Sequence, residues 1–324
     1  MNILRATGNR ELVSSVEDYK DSGIKVKIRH VMPTRTDVDI YRGKFNTKYP
    51  IAPCCMATAY VSEDSEELGL KQGATVLLNP YIVSDSLDKK IYGVNTDGFL
   101  RDFITVDENN IIQIPEEIDA EDVIFADYVG MAIAAFTKMN ITRGDYIAII
   151  GGGVVSLIAA QLAVYYQMVP IFIDSDDRNI ALAKQCGVFY TVNTRDEDPK
   201  IRTLEITGGR MAEHTLMEAR TSVVPHFAFS LAANEADAVI IAPHGNYVKL
   251  ETDLFPICQK NLRVFGVSEA EADFNSAVNI MAQGVLNFEN YIDKQVPFDE
   301  AATLFAELDV NPFQYVSPII VVTK

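Results

Sequence analysis

Cysteine is scarce in this chain and basic residues are outnumbered, and each shortage narrows what the protein can be. The cysteines are Cys54, Cys55, Cys186 and Cys258, one adjacent pair and two isolated residues. None has the spacing of a zinc knuckle or a thioredoxin-type motif, and no disulfide framework is apparent. Such usage suits a reducing cytoplasm, the expected location. Against 28 Lys and Arg stand 45 Asp and Glu, a net charge of −17. A surface this acidic repels nucleic-acid phosphates and anionic lipid heads, so neither nucleic acid nor membrane is an expected partner. The same charge also suits an ordinary well-solvated surface. The opening Met1-Asn2-Ile3-Leu4-Arg5 leads into polar residues without the apolar core of a signal peptide.

The one long uncharged run, Tyr146 to Ile173, covers 28 positions, enough by length for a membrane helix. Gly151-Gly152-Gly153 breaks it near its start and Pro170 near its end. β-branched residues flank a helical stretch of about four turns, which reads as a buried strand–helix–strand unit. With 324 residues, 48% hydrophobic and 23% charged, the chain has the composition of an ordinary globular protein and the length for two domains with cores of their own.

Residues 1 to about 122 are β-rich and full of turns. Val26-Lys27-Ile28-Arg29-His30-Val31 alternates like a half-buried strand, Gly73-Ala74-Thr75-Val76-Leu77-Leu78-Asn79-Pro80 reads as a turn, a strand and a stop, and Ile111-Ile112-Gln113-Ile114 is a short strand ended by Pro115. From Ala120 to Asn140 the pattern predicts a helix. Strands are then predicted at Tyr146–Ile150, Ile171–Ile173, Val188–Val192, Thr215–Met217, Ala238–Ile241 and Leu262–Val267, with helices at Val154–Tyr166 and Arg178–Gln185. Alternating strands and helices imply an α/β domain with a parallel sheet covered on both faces. The expected division is a dinucleotide-binding domain over 123–267 and a β-rich domain over 1–122 completed by 268–324, the last ending in the strand Ile319–Val322.

Gly151-Gly152-Gly153-Val154-Val155-Ser156 follows an apolar strand and opens a helix. Gly151 permits the tight turn, and Gly153 lets the backbone approach a pyrophosphate. The helix start at Val154 and Val155 then offers free N–H groups and a positive dipole end. Ser156 stands where a third glycine is usual and is nearly small enough. A glycine-rich turn can also exist without a ligand, so the next strand matters. It ends in Asp174, whose carboxylate can accept hydrogen bonds from ribose hydroxyls and would repel a 2′-phosphate, favouring NAD. Asp174 can equally be the N-cap of the following helix.

A β-rich first half followed by this late nucleotide-binding unit resembles the medium-chain dehydrogenases, in particular the zinc-type alcohol, polyol and threonine dehydrogenase branch. Thr36-Asp37-Val38-Asp39-Ile40-Tyr41-Arg42-Gly43 resembles the loop of the family's first zinc ligand, and Tyr49-Pro50 to Ala59 the segment of its Gly-His-Glu motif. Asn79-Pro80-Tyr81 and Asp97-Gly98-Phe99 flank the place of its structural zinc lobe, and Gly151 to Gln161 is similar to its cofactor turn. The resemblance implies a Rossmann domain plus a GroES-like catalytic domain, an oxidoreductase acting on a small molecule, NAD as cofactor, and a homodimer or homotetramer.

The departures are specific. Thr34 stands where the family has a ligating cysteine, and Cys54-Cys55-Met56 stands for Gly-His-Glu. The third ligand maps onto Asp127, and no cysteine lies between Tyr81 and Gly98. Catalytic zinc needs three protein ligands and an open position, so neither zinc is expected. Without zinc, the resemblance leaves Thr36 as the hydroxyl that passes a proton, Asp39 as a relay residue and Asp127 as a buried acid. Each can instead be a loop-capping or helix-end residue, and Tyr41 and Tyr128 are phenolic alternatives. Cys54 and Cys55 are expected to be small buried hydrophobes rather than reactive thiols. His244 follows a sheet strand and can be a cofactor contact or a plain loop histidine.

The expected activity is zinc-independent, NAD(H)-dependent interconversion of an alcohol or polyol and a carbonyl. Reduction of an enone or quinone, and a non-catalytic NAD(H) sensor, are the other readings. A relocated metal held by Cys54, Cys55 and Asp127 is a further alternative.

Overall fold

Six parallel strands form one sheet, in the order Tyr190–Asn193, Val169–Asp174, Tyr146–Ile150, Ala212–Glu218, Ala232–Ile241 and Arg263–Val267. The structure is a computed structural model and describes the chain apart from residues 19–22, 67, 84–88, 152, 220–223, 246–251 and 324. The central strands are buried on both faces, as continuous apolar runs in a parallel sheet require. Ala148 sits between Ile171 on one side and Thr215 on the other. The helix Val154–Tyr165 is buried from Val154 to Ala163 and packs on the helix Ala126–Thr137 and on the sheet. Its 12 residues make a rod of about 18 Å, short of the roughly 30 Å of a bilayer core. Among the described residues no helix is long and apolar enough to cross a membrane.

Several elements differ from their expected bounds for local reasons. The helix predicted from Ala120 splits into a 3-10 turn, Asp122–Phe125, and the helix Ala126–Thr137. The strands predicted at Thr215–Met217 and Ala238–Ile241 run longer, because polar residues such as His214 and Asp237 find polar partners at the sheet's N-terminal edge. A short helix, Arg35–Tyr41, stands where a loop was expected.

The chain divides into two compact units, Ala126–Asn287 and Met1–Phe125 with Phe288–Lys324. Residues 268–287 therefore go with the parallel sheet and not, as expected, with the β-rich domain. The physical reason is packing. The helix Phe274–Ala282 lies along Ala126–Thr137, and Gly130 lets the preceding turn come so close that a Cβ on it would meet the Cβ of Ala270 at 2.7 Å.

The first unit is built on a mixed sheet ordered Ile292–Pro297, Ser317–Val321, Ile24–Met32, Met56–Val61, Thr75–Leu78 and Ile111–Gln113, with Phe103–Val106 also pairing with Ile24–Met32. The alternation read from Val26 onward puts Val26 and Ile28 in the core and leaves Lys27 and Arg29 half-buried. Each such buried Val or Ile contributes about 1.5–3 kcal/mol relative to exposure.

Candidate functional site

In the parallel-sheet unit the chain runs outward on both sides from Tyr146–Ile150: one way to Val169–Asp174, the other to Ala212–Glu218. That reversal opens a crevice at the C-terminal ends of these strands, where ligands of such sheets bind. Gly151 turns the chain there with φ +95°, a conformation that L side chains rarely adopt, and its N–H donates to Ile173 O at 3.0 Å. Gly152, expected among the cofactor-binding residues, lies outside the described residues. Gly153 is the N-cap of Val154–Tyr165 and has no side chain with which to close the helix end. The N–H groups of Val154 and Val155 have no partner within their own helix. Ser156 is fully buried behind the turn, and its hydroxyl finds no hydrogen-bond partner among the described residues.

Asp174 ends the neighbouring strand, with Ile173 beside Ile150. Its Oδ1 accepts from the N–H groups of Ser175 (2.5 Å) and Asp176 (2.8 Å), and its Oδ2 accepts from the Asn179 amide at 3.1 Å. These donors fix the carboxylate at the strand end. The N-cap of the helix Asp177–Gln185 is Asp176, which accepts from Arg178 N at 2.9 Å. The helix cap is thus supplied by Asp176, and Asp174 is held at the strand end by its neighbours' N–H groups and Asn179.

Farther along the same edge, the turn Pro243–Gly245 follows the strand Ala232–Ile241. His244 takes a left-handed conformation (φ 54°, ψ 32°), and its N–H donates to Ser268 O at 2.8 Å. Its Nε2 lies 3.1 Å from Oδ2 of Asp127, which sits in the first turn of Ala126–Thr137. The His244 side chain is 0% exposed and that of Asp127 2%. A buried imidazole–carboxylate couple can hold a proton and pass it to developing negative charge. The pairing carried no sequence signal, since nothing in a helix start and a distant loop links the two. Tyr128, one residue on, is half-buried.

In the first unit, Asp37 is the organising residue that sequence reading missed. Its Oδ2 accepts the N–H (2.6 Å) and hydroxyl (2.7 Å) of Thr34, and its Oδ1 accepts the Cys54 N–H at 2.6 Å. The Thr34-x-x-Asp37 spacing of a capping box was the available signal. Cys54 is left-handed (φ 70°), and Gly93 and Gly98 pack so tightly on its carbonyl that a Cβ on either would clash. Burial, and then the charges of Asp37 and Cys55, push the Cys54 thiol well above its ordinary range, so it stays protonated. Cys55 is buried as well.

Thr36 is buried on the helix Arg35–Tyr41. Asp39, on the same helix, faces Arg42 at 3.6 Å, and Arg42 also binds Asp309. Tyr41 packs its ring on Phe305 in the core, and burial raises its pKa.

The family model described as "Alcohol dehydrogenase GroES-like domain" matches residues 20–116, and the one described as "Zinc-binding dehydrogenase" matches residues 154–283. The chain belongs to the medium-chain dehydrogenase/reductase superfamily. It is accordingly an oxidoreductase. It is 25% identical over 259 residues to an uncharacterized zinc-type alcohol dehydrogenase-like protein of Haemophilus influenzae, covering 76% of this chain and 75% of that one. With the sorbitol dehydrogenase of Halalkalibacterium halodurans it shares 20% identity over 302 residues, covering 86% and 85%. Among solved structures, a zinc-binding dehydrogenase from Sinorhizobium meliloti, bound to NADP, superimposes with a TM-score of 0.86 at 19% identity and covers 99% of each chain.

Some residues at the family's zinc positions lie in the first unit. The Thr34 hydroxyl, at the family's cysteine position, donates its proton to Asp37 and is a poor metal donor. Met56, in place of the motif's glutamate, begins the buried strand Met56–Val61. Of the family's ligand positions, the one held by Thr34 thus offers a poor ligand, and the stretch between Tyr81 and Gly98 has no cysteine for a structural zinc.

Proposed function

We propose that this superfamily member is an NAD(H)-dependent oxidoreductase that interconverts an alcohol or polyol and the corresponding carbonyl without zinc. The observation that carries the proposal is the strand–turn–helix at Gly151 with Asp174 fixed at the end of the adjacent strand. The amides of Gly153, Val154 and Val155 grip the pyrophosphate, with Gly151 shaping the turn, and Asp174 accepts the ribose hydroxyls. The NADP-bound neighbour supports a nicotinamide nucleotide in this fold. The Asp174 carboxylate favours NAD, since it repels a 2′-phosphate. The sorbitol dehydrogenase supports the alcohol and polyol class of substrate.

The bound nicotinamide supplies or accepts the hydride. The protein must then stabilise charge on the substrate oxygen and move a proton. We assign that task to Asp127 together with His244, a couple closed to water and 3.1 Å apart. Thr36 is kept as the hydroxyl of a proton path. Asp39 already serves an ion pair with Arg42 and is the weaker candidate. One observation favours a second reading: the facing atoms of Asp127 and His244 also lie close enough to supply two ligands to a metal ion.

A spectrophotometric screen of NADH oxidation and NAD reduction over alcohols, polyols, ketones, enones and quinones, with and without prior chelation, tests the proposal. Turnover of an alcohol–carbonyl pair that survives chelation supports it. Turnover confined to enones or quinones, or NADH binding without turnover, points to a different reductase or to a sensor.

We also propose a homodimer or homotetramer formed through Arg263–Val267. Among the described residues this edge strand pairs on one side only and exposes Val264. Light scattering of the purified chain reports its mass.

A further inference from the structure

We propose that Asp176 and Arg178 form a second cofactor-selectivity element beside Asp174: Asp176 clasps the Arg178 guanidinium and withholds it from the position where a 2′-phosphate would bind. The inference rests on the reading above that the adenosine ribose sits at Asp174. It deepens that reading by naming a basic residue through which this chain could accept NADP.

The chain between the two aspartates is wound around the Asp174 carboxylate, whose Oδ1 takes the N–H groups of both Ser175 and Asp176. The first turn of the helix Asp177–Gln185 is thereby brought to the ribose position, and Asn179 in that turn reaches Asp174 Oδ2. Arg178 belongs to the same turn and has the longer side chain. A guanidinium there is the natural fork for a phosphate, bidentate and permanently charged.

Instead Arg178 folds back on the helix cap. Its Nε lies 3.2 and 3.3 Å from the two carboxylate oxygens of Asp176, and its Nη2 is 2.8 Å from Oδ2. The Asp176 carboxylate is held charged, below its ordinary pKa, chiefly by this contact and also by its own helix-capping bond and the nearby charge of Arg195. Asp176 therefore does two jobs that can be separated. Asparagine caps a helix as well as aspartate does, yet it carries no charge with which to retain a guanidinium. The pair is half-exposed, with 49% of the Arg178 side chain and 31% of the Asp176 side chain accessible. Exposed pairs of this kind shift an equilibrium by no more than roughly fivefold. The clasp is a tuning element added to the direct repulsion by Asp174.

The test is the affinity for NADH and NADPH, by titration of nucleotide fluorescence, of the full chain and of Asp176→Asn, Arg178→Gln and the double variant, each also in an Asp174→Ser background where NADPH is no longer repelled. The expected result is that Asp176→Asn tightens NADPH roughly fivefold and leaves NADH within about twofold. Arg178→Gln should abolish that gain in the double variant while leaving NADH binding unchanged. NADPH affinity unmoved by Asp176→Asn, or a gain that persists without Arg178, overturns the inference while NADH binding stands. Failure of the full chain to bind either nucleotide overturns the underlying reading and this one with it.

Discussion

Breaking the Asp127–His244 couple is the perturbation with the largest expected effect. His244 is left-handed, so asparagine, which tolerates that conformation, is the substitution that removes the imidazole with least backbone strain; alanine would add about 1–2 kcal/mol. His244→Asn removes the imidazole that faces the buried Asp127 carboxylate, and breaking such a buried pair costs about 3–5 kcal/mol. Asp127→Asn removes the carboxylate charge but keeps the side-chain shape and should cost less, about 1–3 kcal/mol. Because both variants lose one shared interaction, the double variant should cost less than their sum by about 1–3 kcal/mol. Turnover should fall by roughly 10²- to 10⁴-fold in either single variant, the range for loss of a positioned proton donor, while NADH affinity stays within about threefold. The assay is urea unfolding of the four proteins of the cycle, paired with steady-state turnover and nucleotide titration. Additive costs would refute the coupling. Turnover of His244→Asn within tenfold of the parent would refute the catalytic assignment.

Other consequences follow from the same geometry. Burial, with a smaller push from Arg29, lowers the His30 pKa from 6.5 to about 4. The unfolded chain therefore takes up a proton more readily, and this histidine contributes stability that is complete above pH 6.5 and lost as pH falls toward 4, about 3 kcal/mol in all. Burial, with Asp119 and Glu121 nearby, raises Asp122 to about 6, so its contribution runs the opposite way. Comparing the parent with His30→Gln across pH 4–7 isolates the histidine, and parallel curves would rule it out. Iodoacetamide at neutral pH should label exposed Cys258 and leave Cys54 untouched in the folded protein, as mass spectrometry of digests can show. Ser156→Ala should raise stability by about 1 kcal/mol, because the serine hydroxyl is buried without a partner; a loss on denaturant unfolding would contradict this. Protein purified without chelator should contain well under one zinc per chain by elemental analysis. Stoichiometric zinc that disappears in His244→Asn would establish the metal reading instead.

The nucleotide-binding half was legible because its signals are local and redundant. An uncharged strand, a glycine break and an apolar helix allow one arrangement, and a parallel sheet buried on both faces must be written as such runs. The division of labour between Asp174 and Asp176 was less legible, since four clustered polar residues can each cap a helix and only the hydrogen bonds tell them apart. The helix Arg35–Tyr41 escaped notice because it is short and its box is closed by an aspartate rather than the usual glutamate or glutamine. Asp37 then reaches Cys54 across 17 positions, and Asp127 meets a histidine from the far end of the sheet. Such contacts are set by tertiary packing and have no periodicity to betray them. The 268–287 boundary was misplaced for a related reason, because a helix sequence does not say which of two cores it covers.

Isothermal titration of the ligand-free protein with NADH bears most directly on the central claim, that the Gly151 turn and Asp174 together hold a dinucleotide. The account predicts saturable binding at one site per chain, weakened at least tenfold by Asp174→Ala. No heat of binding, or affinity indifferent to Asp174, would contradict it.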